Sequence, residues 1–318
     1  MKVVRIGSRG SALAMWQSRH IQERLRAECD VESEIIPIRT AGDRNTEGPV
    51  SAMGGQGVFI KEIEDALLAG EIDLAVHSMK DVPSAVAQGL TLAAIVRRAD
   101  ARDCMVARDG VFSRDGGALA GLPADARLGT SSPRRQAQLL GIRARLDARW
   151  EIRELRGNVD TRLRKLDEGQ FDAIVLACAG LQRLGLTARI TEILSTDVML
   201  PAAGQGALCV ETRTEIFELV RLLAALDDAE TRACITAERA LLVRLEGGCQ
   251  VPLGALARVE ASALKLEAVV LSPDGEDSIR KSASSAFDNP EELGEQLAEE
   301  LLEAGAGRIL HLAGKNVA

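Results

Sequence analysis

Residues 74–83 read LAVHSMKDVP, an apolar stretch that becomes polar at its end. Its first four residues are typical of a short buried strand, and the chain then leaves that strand as a loop. A helical pattern at 59–69 precedes the strand, and another apolar strand pattern follows at 90–96. Strands that alternate with helices in this way predict a mostly parallel, doubly wound α/β sheet.

The alternation extends to the beginning of the chain. Residues 3–7 are predicted to form a strand, and Ser11 is the predicted N-cap of a helix at 12–29. A further strand is predicted at 32–40. Its Pro37 indicates an edge position or a bulge, because proline cannot donate a hydrogen bond to a neighbouring strand.

A second α/β unit with the same pattern follows, and the last third of the chain is predicted to be an α+β domain. The second unit has predicted strands at 103–108, 127–129, 151–155 and 173–177 and helices at 133–141, 159–168 and 179–186. The last third has helices at 215–226, 231–245 and 291–302 and a meander of strands at 256–259, 265–271 and 278–284. A glycine-rich link at 201–207 and a short strand at 208–211 lie between them.

Composition narrows the class of protein. A chain of 318 residues with 46% hydrophobic residues is expected to form about two or three domains, and with 2% aromatics their cores must be aliphatic. A net charge of −8 argues against general nucleic-acid binding. We find no signal peptide, no membrane-spanning run and no metal-ligand spacing, and the six scattered cysteines favour reduced thiols in the cytoplasm.

Two arginines occupy an unusual position at the start of a predicted helix. In residues 129–135, GTSSPRR, Ser132 is the predicted N-cap and Pro133 the first helical residue, so Arg134 and Arg135 fall in the first turn. The helix dipole disfavours cations there, and a sequence chosen for stability would place acidic residues instead. The exposed N–H groups and the two guanidinium groups would together hold a carboxylate or a phosphate.

The same pattern recurs at other strand-to-helix junctions. Arg9 follows the first strand, and Arg156 and Arg162 flank the start of the helix at 159–168. Parallel sheets place such junctions along one edge, where ligands bind, so several arginines imply a ligand with several negative groups. The alternative, which the sequence leaves open, is a solvated cationic face on arginine-rich helices.

Asp81 and Cys249 are the two candidates for chemistry. Asp81 lies just past the end of the strand at 74–77, where a carboxylate could stabilise a cation or accept an N–H bond; the alternative is a turn residue paired with Lys80. Cys249 lies in residues 246–252, EGGCQVP, where two glycines and a proline end the preceding helix. Spacing alone favours a small buried side chain for that thiol.

These motifs together resemble the porphobilinogen deaminase (hydroxymethylbilane synthase) family. The similarity runs nearly end to end, and so many long motifs in one order exclude coincidence. The shared motifs are RIGSRGS at 5–11, AVHSMKDVP at 75–83, GTSSPRRQ at 129–136, LRGNV at 155–159, AGLQRLG at 179–185, PAAGQG at 201–206 and LEGGCQVP at 245–252.

The resemblance implies a fold of three α/β domains. The first two would be like the lobes of periplasmic binding proteins, with the catalytic cleft between them, and the third would be a small α+β domain with an antiparallel sheet. Domain 1 is expected to span 1–98 plus about 198–214, which returns to the first sheet after the second lobe. Domain 2 is expected at 99–197, and domain 3, carrying the cofactor cysteine, at 215–318.

The resemblance also implies an activity. Members condense four porphobilinogen molecules head to tail, with loss of ammonia, on a dipyrromethane primer held as a thioether on a cysteine, here Cys249. Asp81 matches the catalytic aspartate, and the expected enzyme is a cytoplasmic monomer without nucleic-acid or membrane partners. The residues expected to bind substrate and cofactor carboxylates, or to support them, are Arg9, Arg134, Arg135, Arg156, Arg162, Arg183, Ser11, Lys80, Ser131 and Gln205.

One position departs from the family pattern. Many members have a lysine where this chain has Gln56, in the loop that covers the cleft, so a weaker contact to substrate carboxylates is expected there.

The rival hypothesis is a two-lobed anion sensor that uses the same arginines without chemistry. Asp81 and Cys249 distinguish the two, because a sensor needs neither.

Overall fold

The computed structural model describes residues 3–38, 60–112, 119–245 and 251–315. Within these ranges the strands are β1 (Val4–Arg9), β2 (Ser33–Ile38), β3 (Leu74–Ser78), β4 (Leu90–Val96), β5 (Asp103–Ala107), β6 (Arg127–Gly129), β7 (Glu151–Arg153), β8 (Ala173–Ala177), β9 (Glu192–Ile193), β10 (Leu208–Arg213), β11 (Leu253–Glu260), β12 (Ala263–Leu271) and β13 (Ser278–Ala286). The helices are α1 (Ala12–Cys29), α2 (Lys61–Leu68), α3 (Pro133–Arg145), α4 (Val159–Asp167), α5 (Cys178–Arg183), α6 (Phe217–Leu223), α7 (Ala229–Arg244), α8 (Pro290–Glu303) and α9 (Ala306–Lys315).

The first sheet has the strand order β2-β1-β3-β10-β4. Its first three strands are parallel, and β10 runs antiparallel to both of its neighbours. Side chains alternate between two covered faces: Leu74 and Val76 pack with α1 and α6, whereas Ala75 packs with α2. The predicted doubly wound α/β class is therefore confirmed, and Pro37 lies on the edge strand β2, as its chemistry requires.

The second sheet repeats this plan with the order β7-β6-β8-β5-β9. Strands β7, β6 and β8 are parallel, and β5 is antiparallel to β8 and β9. Again the strand in fourth position is the reversed one. Helix α3 covers one face, where Met105 and Leu128 are buried, and α4 and α5 cover the other, where Val106 and Ile174 are buried.

The third sheet is an antiparallel meander of β11, β12 and β13, as the sequence predicted. Its core contains the apolar sides of α7, α8 and α9. The sequence analysis missed α9, which follows directly after Gly305 in the left-handed conformation. Among the described residues, no helix combines the length and hydrophobicity needed to cross a bilayer.

The described chain packs as two compact units. One consists of residues from 1–99 and 206–233, and the other of residues from 100–205 and 234–318. Strand β10 lies in the first sheet, between β3 and β4, and α6 packs into the core of that sheet. The boundaries of the three domains inferred from the family resemblance stay a prediction.

A buried glutamate holds the third sheet to the link before β10. Glu238, in the middle of α7, is fully buried and accepts hydrogen bonds from the backbone N–H of Gly204 at 2.6 Å and of Ala257 at 2.8 Å. These two N–H donors compensate the buried carboxylate, so it can remain in the interior. The carbonyl of Pro201 accepts a further bond from Ala255 at 2.9 Å.

We predict that Gly294→Ala destabilises the protein by about 1–3 kcal/mol, because the site is already filled. An added methyl group would lie 2.7 Å from the Cβ of Ala240 and close to the carbonyl oxygen of Ala237, both in α7. Gly307→Ala in α9 is the matched control, since its methyl group would meet Leu302 at an ordinary 3.7 Å. The control is expected to be neutral or to stabilise by up to about 1 kcal/mol. Urea unfolding of both variants checks this, and equal effects would contradict it.

Candidate active site

In the first unit, four of the predicted site residues lie at one edge of the sheet. Strands β1 and β3 are parallel neighbours, so their carboxyl ends lie at the same edge. Arg9 is the last residue of β1, and Ser11 caps α1, its Oγ accepting a hydrogen bond from the N–H of Ala14 at 3.3 Å. Lys80 and Asp81 follow β3 in a single turn of 3₁₀ helix.

The turn that carries Asp81 is anchored on both sides. The N–H of Met79 donates to the carbonyl of Ala207 at 3.0 Å, and the N–H of Val82 donates to the carbonyl of Met79 at 3.2 Å. Met79 and Val82 are buried, whereas Asp81 is exposed. Asp81 is therefore an exposed carboxylate on a fixed backbone. A group that contacts a ligand needs both features.

In the second unit, the carboxyl ends of three parallel strands lie at one edge. Ser131 follows β6, Arg156 follows β7, and Arg183 ends α5, the helix that begins directly after β8. Helix α3 begins as predicted, with Ser132 in extended conformation as its N-cap and Pro133 at its start. The second edge thus gathers strand-to-helix junctions that are far apart in sequence.

Arg134 and Arg135 are buried around one carboxylate. Nη1 of Arg134 donates to Oδ2 of Asp103 at 2.7 Å, and Nε and Nη2 of Arg135 donate to Oδ1 at 3.0 and 2.7 Å. Carbonyl oxygens complete the set: Leu200 accepts from Arg134 at 2.7 Å and Val175 from Arg135 at 3.0 Å. The two arginines that disobey the helix-dipole preference are therefore compensated by an acid of their own chain.

Gln205 belongs to the same cluster. Its Nε2 donates to Oδ1 of Asp103 at 2.9 Å and to the carbonyl of Ala101 at 2.7 Å, and the residue is only 1% exposed. The guanidinium groups and this amide hold the pKa of Asp103 far below its ordinary value, although burial acts in the opposite direction. Burial lowers the pKa of Arg134, and the neighbouring positive charge of Arg135 acts in the same direction.

The sequence analysis assigned no role to Asp103. It expected the anion at the start of α3 to be an external ligand, because no acidic residue lies near Arg134 in sequence. Asp103 is the first residue of β5, and reversal of that strand brings it to the edge where β8 ends, opposite Ala177. An acidic residue at the start of an otherwise apolar strand was the available signal.

The remaining arginines of this edge are less buried. Nε of Arg156 donates to Glu154 at 2.6 Å, and Nε of Arg162 donates to the carbonyl of Gly157 at 2.7 Å. Arg183 is half-buried, and burial lowers its pKa to about 10. A guanidinium removed from water in this way is stabilised by a negative group placed near it.

Two positions from the sequence analysis lie outside the described residues. They are Cys249, the predicted attachment site, and Gln56, the departure from the family pattern. The flanks of the cysteine segment are described: Leu245 and Leu253 are both buried in the core of the third sheet.

Comparisons with known proteins agree on one family. Residues 4–220 match "Porphobilinogen deaminase, dipyromethane cofactor binding domain", and residues 232–303 match "Porphobilinogen deaminase, C-terminal domain". The chain is 48% identical over 310 residues to a porphobilinogen deaminase of Methylobacillus flagellatus, covering 97% of each chain. It is 49% identical over 306 residues to one of Roseiflexus castenholzii, covering 96% of this chain and 97% of that one.

Among solved structures, the chain matches a periplasmic substrate-binding protein of an ABC transporter from Coxiella burnetii. The match covers 70% of this chain and 92% of that one, at 14% identity and a TM-score of 0.42. A likeness this distant carries no argument about function.

The sequence matches define the class as a transferase of tetrapyrrole biosynthesis, with a domain that binds a dipyrromethane cofactor. The chain belongs to the porphobilinogen deaminase family, as its motifs predicted, and the activity of this family is that of hydroxymethylbilane synthase. The rival hypothesis of a non-catalytic anion sensor is thereby set aside.

The residues of the second edge fit a cofactor that carries carboxylates. Two guanidinium groups share the single charge of Asp103, which leaves the cluster one positive charge in excess. The buried Nε of Arg134 has no hydrogen-bond partner among the described residues. A negative group near this edge would relieve both costs, and the lowered pKa of Arg183 points the same way.

We predict that Asp103→Asn destabilises the protein by about 3–5 kcal/mol at neutral pH, because two buried guanidinium groups lose their counter-charge. A carboxylate with a lowered folded pKa stabilises the fold above its unfolded pKa and loses this contribution as pH falls. The difference from wild type should therefore shrink as pH falls below about 4.

Asp100→Asn is the matched control for this experiment. Asp100 pairs with Arg102, whose side chain is 46% exposed, so its loss should cost less than about 1 kcal/mol. Urea unfolding of the three proteins at several pH values measures the effect. An Asp103→Asn variant as stable as Asp100→Asn would show that the buried cluster does not need its carboxylate.

Proposed function

We propose that this chain condenses four porphobilinogen molecules head to tail, releasing ammonia at each addition and then linear hydroxymethylbilane by hydrolysis. The supporting observation is the match to the two family models, at residues 4–220 and 232–303, which includes every motif that carries a predicted site residue. The proposal includes a thioether link between the dipyrromethane and Cys249, and a monomeric cytoplasmic enzyme.

The arginines are proposed to bind carboxylates. When bound, the dipyrromethane supplies a primer with a free pyrrole carbon and with acetate and propionate side chains. Guanidinium groups pair with carboxylates through two parallel N–H bonds, which fixes orientation as well as charge. On this proposal Arg134 and Arg135 attract the cofactor carboxylates through the excess positive charge of the Asp103 cluster, since Arg135 already donates Nε and Nη2 to Asp103. Arg9, Arg156, Arg162 and Arg183 serve the remaining cofactor and substrate carboxylates.

Asp81 is proposed as the catalytic residue. Departure of ammonia from the aminomethyl group of porphobilinogen develops positive charge, which the pyrrole nitrogen shares. A carboxylate that accepts the pyrrole N–H bond stabilises this charge more in the transition state than in the bound substrate. Asp81 suits that role because it is exposed on an anchored turn.

The polar residues beside these groups are proposed to support them. Lys80 adjoins Asp81 in the same turn, and Ser11 and Ser131 lie at the carboxyl ends of β1 and β6. Gln205 acts through the Asp103 cluster, where both of its donor bonds are made. Gln56 is proposed to bind a substrate carboxylate more weakly than the lysine of many relatives.

We predict that the freshly purified protein has an intact mass greater than that of the bare chain, by one dipyrromethane. Cys249→Ser should have the mass of the unmodified chain, because an alcohol is a far weaker nucleophile than a thiolate. Cys29→Ser, which changes the half-buried thiol of α1, is the control and should keep the added mass. Mass spectrometry with Ehrlich staining settles the matter, and an unmodified wild-type chain would refute the proposal.

We predict that Asp81→Ala keeps the covalent cofactor but lowers kcat by about 10²- to 10³-fold, the usual cost of losing one electrostatic contact to a transition state. Arg19→Ala, at an exposed position of α1, is the control and should leave kcat unchanged. Steady-state rates, corrected for the holoenzyme fraction found by mass spectrometry, provide the measurement. Near-normal turnover of the Asp81 variant would exclude the assigned role.

A further inference from the structure

A buried histidine–glutamate pair crosses the first sheet close to the Asp81 turn. Nε2 of His77, in β3, is 2.9 Å from Oε2 of Glu211, in β10. His77 is 6% exposed, and Glu211 is fully buried. Both side chains lie on the sheet face that α2 covers, where Glu64 of that helix has its pKa raised by burial and by the charge of Glu211.

Stability alone does not account for this pair. The other carboxylate oxygen of Glu211, Oε1, is buried and has no hydrogen-bond partner among the described residues. An unsatisfied buried acceptor costs free energy, and apolar residues of similar size usually replace a buried polar pair without loss of stability. The position of the His77–Glu211 pair in the fold offers a reason why this energetically unfavourable pair is present.

The pair lies near the end of β3, where Glu211, opposite Ala75 in the ladder, reaches diagonally to His77. His77 is four residues before Asp81, and it is directly opposite Cys209 in the antiparallel ladder. Two further links lie beside it: Met79 N–H donates to the carbonyl of Ala207 at 3.0 Å, and Sγ of Cys209 donates to the carbonyl of His77 at 3.9 Å. The His77–Glu211 bond joins the two strands through side chains, just before the backbone turns.

We propose that the His77–Glu211 hydrogen bond holds the end of β3 against β10 and thereby fixes the position of the Asp81 turn. The two residues are positioning residues that act through Asp81, and the proposal rests on the catalytic role assigned to Asp81. A carboxylate displaced by about 1 Å can cost on the order of 10²-fold in rate, so a rigid strand end is a functional requirement.

The test compares holoenzymes of wild type, His77→Leu, Glu211→Leu and Glu211→Gln. The two leucine variants are expected to lower kcat about 10- to 100-fold while KM changes little, because misplaced Asp81 impairs the chemical step. Glu211→Gln keeps an oxygen that can accept the His77 bond and should retain most of the wild-type kcat. His77→Asn, whose amide is too short to reach Glu211, replaces any leucine variant that does not fold and should lose kcat equally.

Thr212→Val is the matched control on the same strand. Thr212 is fully buried, and its Oγ1 donates to the carbonyl of Asp73 at 2.7 Å, just before the opposite end of β3. Its loss should lower the melting temperature but leave kcat at the wild-type level. A merely structural role for His77 and Glu211 would give them the same outcome as Thr212.

Each result decides the matter. Wild-type kcat in folded His77→Leu or Glu211→Leu holoenzyme overturns the inference, and so does an equal loss of kcat in Thr212→Val. A Glu211→Gln variant as impaired as Glu211→Leu overturns the hydrogen bond as the cause. Wild type is measured in the same series, so a wild-type protein without covalent cofactor or turnover refutes the proposed function instead.

Discussion

The charge of the Asp103 carboxylate holds together the arginine cluster at the carboxyl edge of the second sheet. It is fully buried and accepts hydrogen bonds from Arg134, Arg135 and Gln205. Without it, two guanidinium groups at the start of α3 would oppose both the helix dipole and each other. With it, the cluster keeps one positive charge in excess at the place where the strand-to-helix junctions converge. A single acid thus compensates the two buried cations and leaves the cluster attractive to a polyanionic ligand.

One strand in each of the first two sheets is reversed, and this reversal brings residues such as Asp103 to the carboxyl edge of the parallel strands. In a fully parallel sheet, the first residue of a strand lies at the amino edge, away from the helix starts. Because β5 is antiparallel to β8, Asp103 stands opposite Ala177, the last residue of β8. In the same way β10 begins opposite Ser78, the last residue of β3. The reversed strand is what lets residues from its amino end act at the carboxyl edge.

This topology also marks the limit of what the sequence could predict. Helix-start arginines and the aspartate after β3 are local signals, so spacing and cap chemistry were enough to propose Arg134, Arg135 and Asp81 as site residues. Asp103 and Glu238 could not be identified in this way, because their partners are distant in sequence. The partners of Asp103 lie 31 or more residues away, and those of Glu238 lie 34 and 19 residues away. Helix α9 was missed for a local reason: the AGAG sequence at 304–307, which includes the first two residues of the helix, has the composition of a loop.

The link before β10 connects the arginine cluster to the cysteine segment. The carbonyl of Leu200 accepts from Arg134 and from Gln138, and its N–H donates to Gln138, so the start of this link is fixed to α3. Four residues later, Gly204 is bound to Glu238 of α7, the helix that leads to Cys249. Glu238 also binds Ala257 in β11, the strand that follows the cysteine. The described elements on either side of residues 246–250 therefore belong to one hydrogen-bonded framework with the guanidinium groups proposed to bind the cofactor, so the proposed attachment site and the proposed carboxylate-binding groups are connected through the same described elements.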